Sequence, residues 1–247
     1  VLAAAVLFST GGTAVKACTL SGWQVASLRS GIAAVAIFAL IPAARRIWNR
    51  QIWLVAVAYA ATMIFFVLAN KLTTAANAIF LQASAPLYVV LLSPWLLGEK
   101  IRARQLAFMA TLAVGMVFFF LGSQPESATA PSPLVGNLLG AATGLSYGLV
   151  IMGLRWTARD HNGSGATIAA VCCGNLLAAL VALPMALPIA GSTPVDWAMV
   201  VFLGFFQIAV AYAFLIRGVA RVPAIEASLI LLAEPVLSPL WAWLFHG

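Results

Sequence analysis

Residues 73–100 read TTAANAIFLQASAPLYVVLLSPWLLGEK, and residues 222–247 read VPAIEASLILLAEPVLSPLWAWLFHG. Each stretch contains a continuous apolar run of about 20 residues, which is the length of helix that crosses a bilayer. A shift of 149 positions aligns Pro86 with Pro235 and brings four further pairs of identical residues together. These two stretches predict a membrane protein whose second half repeats the first.

The composition of the whole chain agrees with this interpretation. Of its 247 residues, 64% are hydrophobic and 8% are charged, whereas soluble domains carry about 25% charged residues. So few charges cannot cover the surface of a soluble domain, which excludes a water-soluble enzyme, a disordered protein and a disulfide scaffold. The net charge of +7 does not indicate nucleic-acid binding, because the cations lie between apolar runs and form no basic stripe.

Apolar runs bounded by Pro, Gly, Trp or charged residues predict nine membrane-spanning helices, with no room left for a soluble domain. The predicted spans are approximately 2–20, 24–42, 52–70, 74–97, 104–122, 134–154, 166–189, 197–216 and 224–245.

Basic residues follow the even-numbered spans and predict the orientation. Since cytoplasmic loops carry an excess of Lys and Arg, we expect this side and the N-terminus to lie in the cytoplasm. The residues concerned are Arg45, Arg46, Arg50, Lys100, Arg102, Arg104, Arg155, Arg159, Arg217 and Arg221.

The repeat predicts two domains, residues 1–122 with five spans and residues 134–247 with four. Because the first repeat has five spans, an odd number, the second repeat would enter the membrane inverted relative to the first. Inverted repeats provide two packings of similar energy, which is the basis of alternating access in secondary transporters.

Three local sequences carry a resemblance to a known family: GEK at 98–100, IRGVARVPA at 216–224 and the apolar stretch that follows it. Together with the repeat, they make the whole chain resemble the EamA type of the drug/metabolite transporter superfamily. The resemblance implies an all-α fold of ten helices, five in each inverted repeat, around a central cavity, and a tenth helix missing from this chain. It also implies transport of small metabolites, often the export of amino acids or related compounds, at the cell (inner) membrane.

Polar residues inside predicted spans are the candidate lining of that cavity, because ionisable groups in hydrocarbon need a partner or a function. Glu234 would bind a substrate amine or a proton, or would form a structural hydrogen bond beside the Pro235 kink. Arg29, Lys16 and Lys71 would form a basic outer vestibule, or would extend to the lipid headgroups. The candidate cavity residues are Glu234, Arg29, Ser9, Thr10, Gln82, Ser84, Ser146, Tyr147, Gln207 and Tyr212.

Prolines and glycines inside the spans indicate hinges and close packing. Pro86 and Pro235 are candidate gating hinges, with static kinks as the alternative. Four glycines spaced four residues apart, Gly136, Gly140, Gly144 and Gly148, predict close helix packing within the chain or with a second protomer. A monomer and a homodimer both remain open.

These observations favour a secondary carrier over an enzyme. No HExxH motif, buried Ser–His pair or phosphate-binding loop is present, and the three cysteines have no partner at metal-ligand spacing. We therefore expect no cofactor and no metal, and we expect a small metabolite, the bilayer and, as a candidate coupling ion, protons to be the partners. A channel or lipid scramblase is the alternative, and an intramembrane enzyme is a more distant one.

Overall fold

The computed structural model describes residues 1–45, 49–99, 101, 103–121, 126–159 and 163–246. Arg46, Lys100, Arg102 and Gly247, which the sequence analysis used, lie outside these ranges. Within them the chain forms thirteen α-helices, a 3-10 turn at Pro42–Arg45 and a π-helical turn at Leu203–Val210. The helices are α1 Leu2–Ser9, α2 Gly11–Ala17, α3 Gly22–Leu40, α4 Arg50–Leu72, α5 Ala75–Gln82, α6 Ala85–Leu96, α7 Ala103–Leu121, α8 Pro133–Arg159, α9 Gly163–Ala186, α10 Pro194–Phe202, α11 Ala211–Val219, α12 Ala224–Leu231 and α13 Ala233–His246.

Six segments of the described chain are long and apolar enough to cross a membrane: Gly22–Leu40, Arg50–Leu72, Ala75–Leu96, Pro133–Arg159, Gly165–Ala186 and Pro194–Val219. Two shorter apolar segments, Leu2–Ala17 and Ala103–Phe118, correspond to the first and fifth predicted spans. The ninth predicted span is divided into α12 and α13. The described residues therefore form an all-helical membrane protein. The ten-helix repeat fold remains a prediction.

Two helices are interrupted at positions that the 149-residue shift relates. A tight turn at Ala83 separates α5 from α6, and a similar turn at Leu232 separates α12 from α13. Pro86 and Pro235 follow these turns by three residues, and each lacks the backbone N–H that would bond the carbonyl four residues earlier. The two positions that the shift relates thus share a local backbone geometry, while the repeat itself remains a prediction.

The glycines of α8 let this helix approach α4, α5 and α6 closely. A Cβ atom on Gly144 would collide with the Ser84 hydroxyl and lie 2.7 Å from the Leu81 carbonyl oxygen. A Cβ atom on Gly136 would lie 2.6 Å from the Thr73 nitrogen. The glycine stripe therefore packs against helices of the same chain.

Lys16 and Lys71 bond helix ends to one another, which neither of their sequence interpretations anticipated. The Lys16 ammonium, in the last turn of α2, donates to the Thr73 carbonyl at the end of α4, 2.9 Å away. The Lys71 ammonium, in the last turn of α4, donates to the Cys18 carbonyl at the end of α2, 2.7 Å away. Each lysine thus satisfies carbonyls that the other helix leaves unbonded, in the position where a helix favours a cation.

Three arginines have the same role at the opposite end of the bundle, which we call the basic end and define by Arg45, Arg155 and Arg159. Arg45 donates to two carbonyls near the end of α3, Arg155 to two at the end of α11 and Arg159 to one at the end of α6. The helix α8 also extends five residues beyond the predicted end of the sixth span at residue 154. The helix α8 continues to Arg159 because the side chains of its last turn bond neighbouring elements.

Candidate functional site

A small pocket lies at the centre of the helix bundle. Six of the ten candidate residues line it: Arg29, Gln82, Tyr147, Gln207, Tyr212 and Glu234. The remaining lining residues are Phe8, Thr62, Met63, Phe66 and Ile208. The side chains close around a space with room for about one or two water molecules.

Arg29 is a buried cation in the middle of α3, with a relative exposure of 1%. One terminal nitrogen, Nη2, donates to the Met63 carbonyl at 2.9 Å, and the guanidinium lies 5.5 Å from the centre of the Phe66 ring. The Nε atom has no hydrogen-bond partner among the residues that the structure describes. No carboxylate of the described chain forms an ion pair with Arg29.

Glu234 is the acidic residue of the pocket and has a relative exposure of 3%. It occupies the second position of α13, directly after the helix interruption and before Pro235. Gln82, the last residue of α5, donates a hydrogen bond from Nε2 to its Oε1 at 3.0 Å. The two helix interruptions are therefore connected through side chains that line the pocket.

Gln207 reaches the pocket from the π-helical turn between α10 and α11. Single π-helical turns often mark functional positions because they rotate the side chains that follow them. Gly11 makes room for this side chain, since a Cβ atom there would lie 2.7 Å from Gln207 Nε2. The side-chain amide oxygen of Gln207, Oε1, accepts no hydrogen bond from the described part of the chain.

Aromatic side chains form one wall of the pocket. The Phe8 ring packs edge-on against Tyr147 and Tyr212, with ring centroids 6.4 Å and 5.0 Å apart. Behind them, the Tyr59 ring lies 4.8 Å from that of Tyr212, and the amide of Asn175 donates to the Tyr59 hydroxyl at 2.9 Å. Within the described ranges the Tyr147 hydroxyl itself has no hydrogen-bond partner.

Four candidate residues, Ser9, Thr10, Ser84 and Ser146, do not line this pocket. Each hydroxyl donates to a carbonyl three residues earlier in its own chain segment, at distances of 2.6–3.1 Å. The hydroxyl groups of Ser and Thr in helices commonly donate to a nearby backbone carbonyl in this way. The Ser9 hydroxyl also accepts a hydrogen bond from Trp241. A sequence shows the depth of such residues in a span, but not whether a nearby carbonyl already binds their hydroxyl.

A second small pocket adjoins the first and shares Gln82, Tyr147 and Glu234 with it. Its other lining residues are mostly aliphatic: Ile79, Ala83, Ala85, Pro86, Ile151, Ser228, Leu231, Leu232 and Pro235. Both candidate hinge prolines therefore border a cavity. The Gln82–Glu234 hydrogen bond lies where the two pockets meet.

Glu99, which the sequence analysis quoted only as part of GEK, organises the basic end. Its carboxylate lies 2.8 Å from Arg159 Nη2 and 3.7 Å from Arg155 Nε. It also accepts a hydrogen bond from the backbone nitrogen of Ala224, the first residue of α12, at 3.1 Å. The signal that could have identified it is a single acid next to a loop of cations.

No group of three or more His, Cys, Asp or Glu in the described ranges could hold a metal ion. Glu226, the remaining acid of the ninth predicted span, is exposed in the first turn of α12. This is the position expected of an acid that stabilises the start of a helix.

Comparisons with known proteins bear on both the family and the fold. A sequence model of the EamA-like transporter family matches residues 1–121 and 134–247. Nine solved chains match the structure. One, a crystal structure described only as that of a protein, superimposes with a TM-score of 0.72 at 22% identity, covering 98% of this chain and 87% of the other. At that identity the likeness establishes the fold alone, and no curated protein matches the sequence.

Proposed function

The chain belongs to the EamA-like transporter family, within the drug/metabolite transporter superfamily, and from this premise we propose that it is a secondary-active carrier of small metabolites. Its cargo is an amino acid or a related compound, and the central pocket is the binding site. The two halves expose that pocket alternately to the two sides of the membrane.

The observation that carries this proposal is the presence of Arg29 and Glu234 in one buried pocket. Charged groups in the middle of a membrane protein are costly, and they usually mark the path of a substrate or an ion. Arg29 lacks an anionic partner in the described chain, and Glu234 has a neutral one, Gln82. A substrate that carries both a negative and a positive charge would provide a charged partner for each of these two residues.

The repeated helix interruptions support alternating access. Interrupted helices near a central site are typical of carriers with inverted repeats. In such carriers, rocking of one repeat against the other opens the site first to one side of the membrane and then to the other. Here the interruptions at Ala83 and Leu232 are related by the repeat shift, and their neighbours Gln82 and Glu234 line the pocket. In this proposal the rocking units are the two predicted repeats, residues 1–122 and 134–247.

The distribution of cations supports an orientation with the basic end in the cytoplasm. The side chains of Arg45, Arg155 and Arg159 bond the ends of α3, α11 and α6 on one face of the bundle, and under the positive-inside rule such a cation-rich face is the cytoplasmic one. We place the protein in the inner membrane and assign it a role in export. We assign the chain no enzymatic activity.

Counterflow in proteoliposomes tests the proposal. Vesicles containing purified protein and loaded with an unlabelled mixture of amino acids should accumulate labelled amino acid transiently and with saturation. A channel or scramblase would produce flux that neither saturates nor shows counterflow. The absence of counterflow for amino acids and for every other small metabolite tested would refute the carrier assignment.

A further inference from the structure

An apolar groove lies on the outer surface of the bundle, between α4, α6 and α8, and it shares no lining residue with the central pocket. We call it the α4–α6–α8 groove. It has a volume of about 360 Å³, and its lining includes Leu54, Ala58, Leu96, Leu97, Leu149 and Trp156. Leu54, Leu96 and Trp156 are exposed. Because α4 and α8 are long and apolar enough to cross a membrane, the groove opens towards the lipid chains of the bilayer.

The groove is elongated along α8 and ends near the basic end of the bundle. Its lining on α8 begins at Leu149 and ends at Trp156, which corresponds to about 10 Å along a helix axis. Its floor lies where α8 approaches α4, since a Cβ atom on Gly153 would lie 2.7 Å from Val55 Cγ2. A narrow apolar furrow of this length has the shape of a segment of a lipid acyl chain.

Two arginines border the end of the groove that lies at the basic end. Arg159 Nη1 donates to the carbonyl of Leu97, a lining residue, at 2.8 Å, and 40% of the Arg159 side chain is exposed. Arg50, the first residue of α4, is exposed and lies one turn before Leu54 on the same face of the helix. The groove therefore combines apolar walls with cations at one end.

Glu99 does not cancel the positive charge at this end of the groove. Its carboxylate bonds Arg159 Nη2 at 2.8 Å. The described hydrogen bonds of Arg159, to Leu97 and Glu99, use two of the five N–H groups of the guanidinium. Arg50 forms no ion pair within the described ranges. An anionic oxygen can therefore approach both arginines, and guanidinium groups bind phosphate with strong, charge-assisted hydrogen bonds.

We propose that the α4–α6–α8 groove is a binding site for an anionic phospholipid. One acyl chain lies in the groove, and Arg50 and Arg159 hold the headgroup phosphate. Trp156, one turn before Arg159, lies at the headgroup level that indole side chains favour. Anionic lipids are concentrated in the cytoplasmic leaflet, which agrees with the orientation proposed for the basic end. Lipid binding at this surface is independent of what the central pocket carries.

A second surface groove, between α3 and α9, provides a comparison within the same molecule. It has a volume of about 540 Å³, and Leu28, Ile32, Val35, Leu180 and Leu183 are among its lining residues. No described Lys or Arg donates a hydrogen bond to a residue of this lining. We therefore expect this groove to accept acyl chains regardless of the charge of the headgroup.

Titration of the purified chain with phosphatidylglycerol, followed by native mass spectrometry, tests the proposal. Phosphatidylcholine with the same acyl chains is the matched lipid, and it should bind severalfold more weakly. Arg50→Gln should weaken the binding of phosphatidylglycerol about fivefold, the effect of one cation near an anionic headgroup, and leave phosphatidylcholine unaffected. Arg217→Gln is the control, because it removes the same charge from the exposed last turn of α11, which does not form the groove.

Filling each groove with a larger side chain tests where the acyl chain lies. Leu54 in the α4–α6–α8 groove and Leu180 in the α3–α9 groove are both 56% exposed. Leu54→Trp should weaken the binding of phosphatidylglycerol severalfold, whereas Leu180→Trp should not change it. Thermal unfolding of each variant without added lipid identifies any that fail to fold. The exposed position of Arg50 at the start of α4 keeps the headgroup contact testable if Leu54→Trp does not fold.

Three results would overturn the lipid site. Equal affinities of the wild type for the two lipids would show that the groove does not select an anion. Weaker binding in Leu180→Trp but not in Leu54→Trp would assign the lipid to the α3–α9 groove. A species of two chains that binds no phosphatidylglycerol would show that a second copy of the chain covers this surface. None of these results depends on counterflow, so the lipid site and the carrier assignment are tested separately.

Discussion

Gln82 and Glu234 are joined by a 3.0 Å hydrogen bond between Nε2 and Oε1 that crosses from the first matched stretch of the chain to the second. Gln82 ends α5 and Glu234 follows the start of α13, so the bond connects the two helix interruptions. Anything that competes for the Glu234 carboxyl group, whether a proton or a substrate ammonium, alters this connection. The bond therefore links the occupancy of the pocket to the packing of the two halves.

Replacing Glu234 by glutamine tests whether this carboxyl group couples transport to protons. The amide retains the size of the side chain and its ability to accept a bond from Gln82, but it cannot take up a proton. We expect Glu234→Gln to abolish the pH dependence of counterflow. The measurement is initial counterflow rate across the neutral pH range, with Glu226→Gln, an exposed acid on α12, as the control. A pH profile identical to that of the wild type would show that Glu234 is not the coupling group.

The arrangement of the pocket could be predicted only in part. Arg29 and Glu234 were identifiable because ionisable residues are rare inside apolar spans. Phe8, Met63 and Ile208 could not be predicted as lining residues, because the sequence does not specify which face of an apolar helix turns towards the pocket. The position of Gln207 in the pocket depends on a π-helical turn, which no residue pattern predicts.

The fold was predictable to the level of the spans but not of their interruptions. Long apolar runs predict helices such as α3 and α4, because the length and hydropathy of a segment determine whether it can cross a membrane as a helix. The turns at Ala83 and Leu232 depend on how a proline three residues later is accommodated by its neighbours. The roles of Lys16 and Lys71 as caps of each other's helices require the two helix ends to meet, which only tertiary packing determines.

Substituting Gly144 tests the close packing of α8 against α5 and α6. Gly144→Ala should lower the free energy of unfolding by about 1–3 kcal/mol, the usual effect of overpacking, because the added methyl group meets Ser84 and the backbone of Leu81. Gly115→Ala on α7 is the matched control, since no atom lies within 4 Å of the Cβ position there. It should be neutral or slightly stabilising, as alanine favours helices. Equal thermal stabilities of the two variants in detergent would contradict the packing described for α8.

Neutralising Glu99 tests the organisation of the basic end. Its carboxylate, with 8% of the side chain exposed, holds two arginines and the first backbone N–H of α12. We expect Glu99→Gln to destabilise the protein by about 2 kcal/mol, within the range for hydrogen bonds to charged groups. It should also speed the labelling of a cysteine introduced at Ala224, because α12 loses its contact with Glu99. Unchanged unfolding temperature and labelling rate would show that Glu99 does not hold these elements together.

Replacing the prolines at the two helix interruptions tests whether these positions act as hinges during transport. Pro86→Ala and Pro235→Ala each restore a backbone N–H that can bond the carbonyl four residues earlier, which would make the interruption more like a continuous helix. If the interruptions act as hinges, the double variant should reduce the maximal counterflow rate severalfold and leave the half-saturating concentration nearly unchanged. Pro194→Ala is the control, because a proline in the first turn of α10 replaces an N–H that has no helical partner. Static kinks would predict the reverse pattern, an unchanged maximal rate with loss of stability alone.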